Sequence, residues 1–344
     1  MRVLDRVGGG GGIYYATGDF GERTERPLWA YRLLQPGIAE RVEVPDNVTP
    51  LSEGQLRLRL RAAGICGSDM PRFKGIAGPL EGGDYGTVPV HEVVAEVIES
   101  TSREIKPGQR VVGTLGRYEG LAELFVASSS TFIPVPDGLD DVSAVVIQPL
   151  GTIVRAAATF PPDIRGWRAT VIGVGPCGLA FCHLLKRRGA AHVSAIDPVE
   201  RKEVASAFGA DQFFHMPSSE WLSTLQESDR PHLVVEAVGH QQATVRDALH
   251  GVADGGFVFG FGEPDDRDYT VPYEEIYLRD LTLASGRTMG NWPEVLRSGA
   301  EYLLKHRADF SGYISHVVPV QDTQRAYSLY AQPQVGRLKV VIVP

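Results

Sequence analysis

The chain has 344 residues, enough for two domains of ordinary size that each build their own core. Hydrophobic residues make up 43% and charged residues 22%, and the net charge of −8 argues against nucleic acid or an anionic membrane as a partner, since both require a basic surface. No unbroken run of about 18 apolar residues occurs, and neither a secretory leader nor a cysteine framework is evident. These features predict a cytoplasmic protein without a membrane span.

The first half of the chain reads as an extension followed by a β-domain. Residues 1–26 contain the glycine run 8–12 and predict a flexible N-terminal extension. Residues 56–61 alternate strictly between leucine and arginine, as a half-buried strand does, and further β-type runs follow at 93–98, 110–113 and 124–127. Glycine and proline punctuate these runs, so residues 27–155 are predicted to form an antiparallel, barrel-like domain that residues 290–344 complete.

The middle of the chain alternates between strands and helices. Predicted strands lie at 169–172, 192–196, 233–236 and 256–259, and predicted helices lie at 179–188 and 200–208. This alternation is typical of a parallel sheet covered by helices on both faces, over residues 156–289. The chain returns to mixed elements after that and ends in a strand at 338–343.

A glycine pattern opens the first of these helices. Residues 173–178 read Gly-Val-Gly-Pro-Cys-Gly and fit G-x-G-x-x-G between an apolar strand and a helix. Asp197 ends the next strand, where a carboxylate binds the adenosine ribose and repels a 2′-phosphate, so NAD is favoured over NADP. Arg201 is placed to stack on adenine or to allow some use of NADP. The alternative is a flavodoxin-like fold whose glycine turn binds no dinucleotide.

A thiol and an imidazole stand at predicted strand ends. Cys66 follows the alternating strand, and His91 precedes the run that begins at residue 93. Both are ligand types that zinc prefers, and a catalytic zinc needs three protein ligands and one open position. Glu92 or Gln148 is the candidate third ligand. The alternative is that Cys66 is a small buried hydrophobe and His91 an ordinary surface histidine.

From about residue 28 to the end, the chain resembles the medium-chain dehydrogenases, the family of zinc alcohol, sorbitol, threonine and sugar dehydrogenases. The resemblance is carried by 64–69 (Gly-Ile-Cys-Gly-Ser-Asp), His91-Glu92, 148–150 (Gln-Pro-Leu), 173–178 with Asp197, 235–239 (Val-Glu-Ala-Val-Gly) and 337–340 (Arg-Leu-Lys-Val). It implies a Rossmann cofactor domain with a doubly wound parallel sheet, and a GroES-like β-barrel catalytic domain. It also implies hydride transfer between a secondary alcohol and NAD, and a homodimer or homotetramer.

The resemblance also implies roles for individual residues. Cys66 and His91 would bind one catalytic zinc, with Glu92 as an intermittent ligand and Gln148 in the segment of the third ligand. Ser68 would hold the substrate hydroxyl and relay its proton, and Asp69 would orient the His91 ring. The residues implied to bind the cofactor are Gly173, Gly175, Pro176, Gly178, Asp197, Arg201, Val238, Gly239 and Arg287.

The sequence departs from the family pattern in several places. No cysteine lies between Glu92 and Gln148, so a structural zinc site of four cysteines is not expected. Gln148 stands where an acid or cysteine is usual, and a neutral amide is a poorer zinc ligand. Some sugar dehydrogenases of the family also carry glutamine there, which favours a sugar, polyol or cyclitol as substrate over a simple alcohol or a 3-hydroxy amino acid such as threonine. The other departures are Pro71, Val90 and Ala95.

Two alternatives to this function remain. One is a metal-free reductase of quinones, enones or carbonyls with the same fold, favoured only by Gln148. The other is a non-catalytic NAD-binding protein, which the retained Ser68 beside Cys66 disfavours. The candidate substrate contacts, chosen by position in loops near the metal residues, are Tyr85, Arg117, Tyr118 and Glu119.

Overall fold

The computed structural model describes residues 27–45, 49–76, 78, 86–116, 120–286 and 291–344. The prediction of a flexible extension over residues 1–26 lies outside this part of the chain. The strands within the described residues are β1 (Leu28–Gln35), β2 (Ile38–Val44), β3 (Gln55–Ile65), β4 (Glu92–Ser100), β5 (Arg110–Thr114), β6 (Leu124–Ser128), β7 (Phe132–Pro134), β8 (Arg168–Ile172), β9 (His192–Asp197), β10 (Gln212–His215), β11 (Leu233–Glu236), β12 (Phe257–Gly260), β13 (Thr282–Ser285), β14 (Ile314–Pro319) and β15 (Lys339–Val343).

The α-helices of the described residues are α1 (Met70–Phe73), α2 (Asp141–Ala144), α3 (Ile147–Ala156), α4 (Pro176–Arg187), α5 (Lys202–Ala207), α6 (Ser218–Thr224), α7 (Gln242–Gly251), α8 (Tyr273–Leu278), α9 (Trp292–Lys305) and α10 (Thr323–Ala331). α4 begins three residues before the predicted helix. Its first residue is Pro176, which is suited to that position because the first turn of a helix needs no backbone N–H partner.

Six strands form a parallel sheet in the order β10-β9-β8-β11-β12-β13. In chain order this is 3-2-1-4-5-6, the order of a doubly wound dinucleotide-binding fold. The four inner strands were predicted from their apolar runs. β10 and β13 were not, because each lies at an edge of the sheet and carries a mixed, partly exposed sequence. All six strands lie within the range predicted for the cofactor domain, although the domain boundaries themselves stay a prediction.

A second sheet has the order β14-β15-β3-β4-β5-β7, with β6 also paired to β3. Its neighbours are antiparallel except for β14 and β15, which run parallel. That pair requires a crossover connection, and the segment containing α10 supplies it. β1 and β2 form a separate antiparallel ribbon, and two isolated bridges, Ala30 to Ala122 and Arg32 to Thr87, tie it to neighbouring loops.

α3 runs through the core between the two sheets and packs against α4 and α9. Its close approach to α9 requires Gly151 and Gly299, because a methyl group on either residue would collide with backbone atoms of the other helix. The helical stretch Asp141–Thr159 is long and apolar enough to cross a membrane by length and composition alone. However, 61% of the apolar 18-residue window within it is buried inside the protein, as in a core helix. Gln148, on α3, is also buried.

Candidate functional site

The ends of three neighbouring strands lie side by side at one end of the second sheet. β3 ends just before Cys66, β4 begins at Glu92 and β15 begins at Lys339. Because β3 runs antiparallel to both neighbours, its carboxyl end lies beside their amino ends, and Gly64 pairs with Glu92. The fold thereby brings together Cys66, His91, Glu92 and Lys339 from three distant parts of the chain.

The side chains at this end of the sheet form a set of metal-ligand atoms. Cys66 Sγ, a ring nitrogen of His91 and a carboxylate oxygen of Glu92 all lie within 4.8 Å of one another. His91 and Glu92 are buried, whereas Cys66 is partly exposed. Glu92 Oε1 is buried without a hydrogen-bond partner in the described structure, a state that calls for a cation or another polar group. One sulfur, one nitrogen and one oxygen are donors that zinc accepts, so these residues fit a zinc ion with an open position.

Asp69 orients two of these groups. Its side chain is fully buried; Oδ2 accepts a hydrogen bond from the Cys66 backbone N–H at 2.8 Å, and Oδ1 lies 2.8 Å from His91 Nδ1. This contact on Nδ1 fixes the orientation of the ring, so a metal would be bound through Nε2. Burial works to lower the pKa of His91, but the charge and hydrogen bond of Asp69 outweigh it and raise the pKa well above 6.5. The role expected for Asp69 is the one that this geometry supports.

Lys339 is a site residue that the sequence analysis missed. Its ammonium lies 2.6 Å from Glu92 Oε2 and 3.1 Å from the carbonyl oxygen of Ile65, and the side chain is 2% exposed. Burial raises the pKa of Glu92 in spite of the opposing charge of Lys339. The motif 337–340 contributed to the resemblance, but a lysine that begins an apolar strand carries no sign of its distant partner. Lys339 offsets the charge of Glu92 through Oε2 and leaves the second carboxylate oxygen, Oε1, without a hydrogen-bond partner in the described structure.

Ser68 and Gln148 are two further candidate residues of the site. Ser68 lies in a 3₁₀ turn at Gly67–Asp69, directly after Cys66, and is half-buried. Gln148 is the second residue of α3 and is 4% exposed. The ligand atoms within 4.8 Å of one another come from Cys66, His91 and Glu92, which supports Glu92 as a third ligand, and Gln148 stays a candidate.

The glycine pattern lies at the point where the strand order reverses. Gly173 follows β8 and has a left-handed backbone with φ +85°. A side-chain atom of Val238, which follows β11, lies only 2.5 Å from the position that a Cβ on Gly173 would take. A Cβ at Gly178 would collide with the Gly173 carbonyl oxygen, so this glycine lets the helix pack on the turn. Gly175, by contrast, has open space where its Cβ would stand, as expected if a ligand approaches its backbone there.

Asp197 closes one side of this crevice. Its carboxylate accepts hydrogen bonds from the backbone N–H groups of Val174 at 2.7 Å and Val199 at 2.8 Å, which hold it beside the glycine turn. Arg201 turns away from solvent: its side chain is 4% exposed and Nη1 donates to the Arg337 carbonyl oxygen at 2.9 Å. Stacking on adenine would require an exposed guanidinium face, which this arrangement does not offer.

Glu236 shapes the turn that contains Val238 and Gly239. It is 1% exposed, and its Oε1 accepts hydrogen bonds from the N–H groups of Val238 at 2.9 Å and Gly239 at 3.1 Å and from the Thr244 hydroxyl at 2.9 Å. The turn therefore has a fixed position opposite Gly173. Glu236 lies within the motif at 235–239, but the sequence alone does not indicate this role.

Five residues with predicted roles lie outside the described part of the chain. They are the substrate-loop candidates Tyr85, Arg117, Tyr118 and Glu119 and the nicotinamide candidate Arg287. Their roles stay predictions.

Two family models match successive parts of the chain. Residues 52–137 match the family model for the alcohol dehydrogenase GroES-like domain, and residues 176–304 match that for zinc-binding dehydrogenase. The L-threonine 3-dehydrogenase of Bacillus velezensis is 25% identical over 338 residues, covering 88% of this chain and 94% of its own.

Two solved structures show the same fold. A zinc-binding dehydrogenase of Sinorhizobium meliloti 1021, bound to NADP, superposes with a TM-score of 0.78 at 20% identity, covering 93% of this chain and all of its own. Galactitol-1-phosphate dehydrogenase of Escherichia coli superposes with a TM-score of 0.75 at 20% identity, covering 92% and 100%. The two family models match in the order expected for this family, and the reversal of strand order at the glycine turn and the Cys66 cluster are consistent with it. The chain therefore belongs to the zinc-dependent medium-chain dehydrogenases, which are oxidoreductases of the alcohol dehydrogenase type.

Proposed function

We propose that the protein is an NAD-dependent dehydrogenase of secondary alcohols that uses one catalytic zinc and acts on a sugar, polyol or cyclitol. The observation that supports it most is the cluster of Cys66, His91 and Glu92. A bound zinc ion would act there as a Lewis acid on the substrate oxygen, and bound NAD would accept the hydride. The product would be a ketone, or a lactone from a cyclic sugar.

The protein's own residues prepare this reaction. Asp69 orients the His91 ring so that Nε2 would bind the metal, and Lys339 offsets the charge of Glu92. Ser68, half-buried beside Cys66, accepts the proton of the substrate hydroxyl and passes it outward. The glycine turn and Asp197 position the dinucleotide at the amino end of α4, where free N–H groups and the helix dipole favour phosphate.

The deciding experiment is zinc content after removal of loosely bound metal. About one zinc per chain is expected, lost in Cys66→Ala, because the thiolate supplies one of three protein ligands. Cys182→Ala is the matched control, since Cys182 is a fully buried core residue on α4. Absence of zinc after expression in zinc-supplemented medium would exclude this mechanism in favour of a metal-free reductase. Zinc and NAD binding without turnover of any alcohol would support the non-catalytic alternative.

The proposed substrate class is supported by one residue and one relative. Gln148 favours a polyhydroxylated substrate by resemblance, and the galactitol-1-phosphate dehydrogenase shares the fold. The threonine dehydrogenase of Bacillus velezensis favours L-threonine as the second candidate. A screen with NAD that compares polyols, sugars and cyclitols with L-threonine separates the two, because only one class should show saturable turnover.

Asp197 supports NAD over NADP, because a carboxylate repels a 2′-phosphate. Replacing Asp197 with serine should weaken NAD binding about 10- to 100-fold, which corresponds to the loss of a hydrogen bond to a charged group. NADP binding should change much less. The ratio of kcat/KM for the two cofactors is the measurement. Asp211→Asn is the control: Asp211 also accepts a backbone N–H, from Val193 at 2.8 Å, but at the opposite end of β9. A wild-type preference for NADP would contradict the assignment.

We also propose a cytoplasmic homodimer or homotetramer without nucleic-acid or membrane partners. β13 lies at an edge of the parallel sheet in the described structure, with Leu283 40% exposed, and Tyr273, Tyr277 and Leu278 of nearby α8 are each about 70% exposed. Exposed apolar groups beside a strand edge support pairing of chains. Light scattering should report a dimer or larger, and Tyr277→Glu with Leu278→Glu should reduce its mass. A monomeric wild-type chain would refute the proposal.

A further inference from the structure

A second cluster of metal-ligand atoms lies outside the candidate active site. His183 lies on α4, His306 follows α9, and Asp309 lies in the 3₁₀ turn Arg307–Phe310. One atom from each of the three residues lies within 4.8 Å of the other two. Two imidazoles and a carboxylate are donors for zinc, cobalt and nickel.

The spacing of these atoms suits one metal ion. His183 Nε2 lies 3.0 Å from Asp309 Oδ2, and His306 Nδ1 lies 3.6 Å from the same oxygen. Ligand atoms about 2.0–2.1 Å from a tetrahedral zinc are separated by about 3.3 Å, which falls between these two distances. The site would close around an ion with small side-chain movements.

A tyrosine orients the most buried ligand. The Tyr302 hydroxyl lies 2.7 Å from His183 Nδ1, and the His183 side chain is 5% exposed. A hydroxyl can accept as well as donate, so Nδ1–H can donate to Tyr302 when Nε2 binds a metal in place of its hydrogen bond with Asp309. Metal-binding histidines commonly have such a partner on their other nitrogen.

The guanidinium group of Arg187 already contacts this cluster. Arg187 Nη2 lies 2.6 Å from Asp309 Oδ2, and its Nε lies 3.4 Å from His183 Nε2. The Arg187 side chain is 53% exposed, so it can swing into solvent at the small cost of a surface ion pair. Arg187 would compete with the metal and weaken its binding relative to the Cys66 cluster.

We infer that His183, His306 and Asp309 form a second site for a divalent transition metal of the zinc class, completed by water. The ion would join α4, which follows the glycine turn, to the segment after α9. The site needs none of the residues of the Cys66 cluster, so it stands or falls independently of the proposed catalytic zinc.

Cobalt titration of the full-length Cys66→Ser chain tests this inference. That background removes thiolate–cobalt absorption, so visible bands of tetrahedral cobalt report the second site alone. We expect about one cobalt per chain at micromolar free metal, with N/O-type bands. Adding His306→Gln or Asp309→Asn should abolish these bands, while circular dichroism confirms folding.

Three further variants sharpen the result. Tyr302→Phe should weaken cobalt binding about 10- to 100-fold, as loss of a partner to a ligating histidine does. Arg187→Gln should strengthen it, because the competing cation is gone. His250→Gln is the matched control, since His250 pairs with Glu275 at 2.6 Å outside both ligand clusters, and it should change nothing. No cobalt bands in Cys66→Ser with Arg187→Gln would overturn the inference.

Discussion

Replacing Lys339 with methionine is expected to lower the free energy of unfolding of the metal-free protein by about 3–5 kcal/mol, because it leaves a buried carboxylate without its cation. Lys339 and Glu92 are almost fully buried and 2.6 Å apart. Methionine retains most of the aliphatic volume of lysine, so the loss of stability comes from the missing charge rather than from a cavity. Urea unfolding in the presence of a chelator is the measurement, since bound zinc would itself compensate Glu92.

Two controls define the origin of the effect. Lys186→Met removes an ammonium that lies 2.8 Å from Asp211 but is 38% exposed, and such surface pairs contribute at most about 1 kcal/mol. Combining Lys339→Met with Glu92→Gln should recover a large part of the loss, because the uncompensated charge is then absent. A Lys339→Met chain as stable as the Lys186→Met chain would show that the buried pair is not needed for folding.

Replacing Gly178 with alanine is expected to destabilise the protein by about 3 kcal/mol, the upper end for overpacking, and to abolish NAD binding. The new methyl would meet the carbonyl oxygen of Gly173, a backbone atom that cannot yield without moving the turn. The movement would displace the amino end of α4 from the crevice. Urea unfolding and NADH fluorescence titration measure the two effects.

Gly175→Ala separates ligand binding from folding in the same turn. A Cβ at this position meets no atom within 4 Å, and the backbone has an ordinary negative φ of −71°. Stability should therefore change by less than about 1 kcal/mol. NAD affinity should still fall about 10- to 100-fold, because the methyl occupies the space the pyrophosphate approaches. Unchanged NAD affinity in this variant would contradict placement of the pyrophosphate at Gly175.

The cofactor crevice could be predicted because its parts are close in sequence. The glycine turn and Asp197 belong to one strand–helix–strand unit, and their chemistry follows from the positions of strand ends within it. The structure confirms the parallel sheet, and it adds two edge strands that lack an apolar run. The orientation of the Arg201 side chain could not be predicted in this way, because its partner is the carbonyl oxygen of Arg337, 136 residues later in the chain.

The sequence alone determined the parts whose physics is local: an alternating strand in a β-rich domain, a glycine turn between strand and helix, and a thiol and an imidazole at strand ends. Tertiary structure decided which charged groups meet. Lys339 reaches Glu92 across 247 residues, and His183 reaches Asp309 across 126 residues. Periodicity and motifs report backbone geometry, whereas the partner of a buried charge depends on which strand and helix ends the fold brings together.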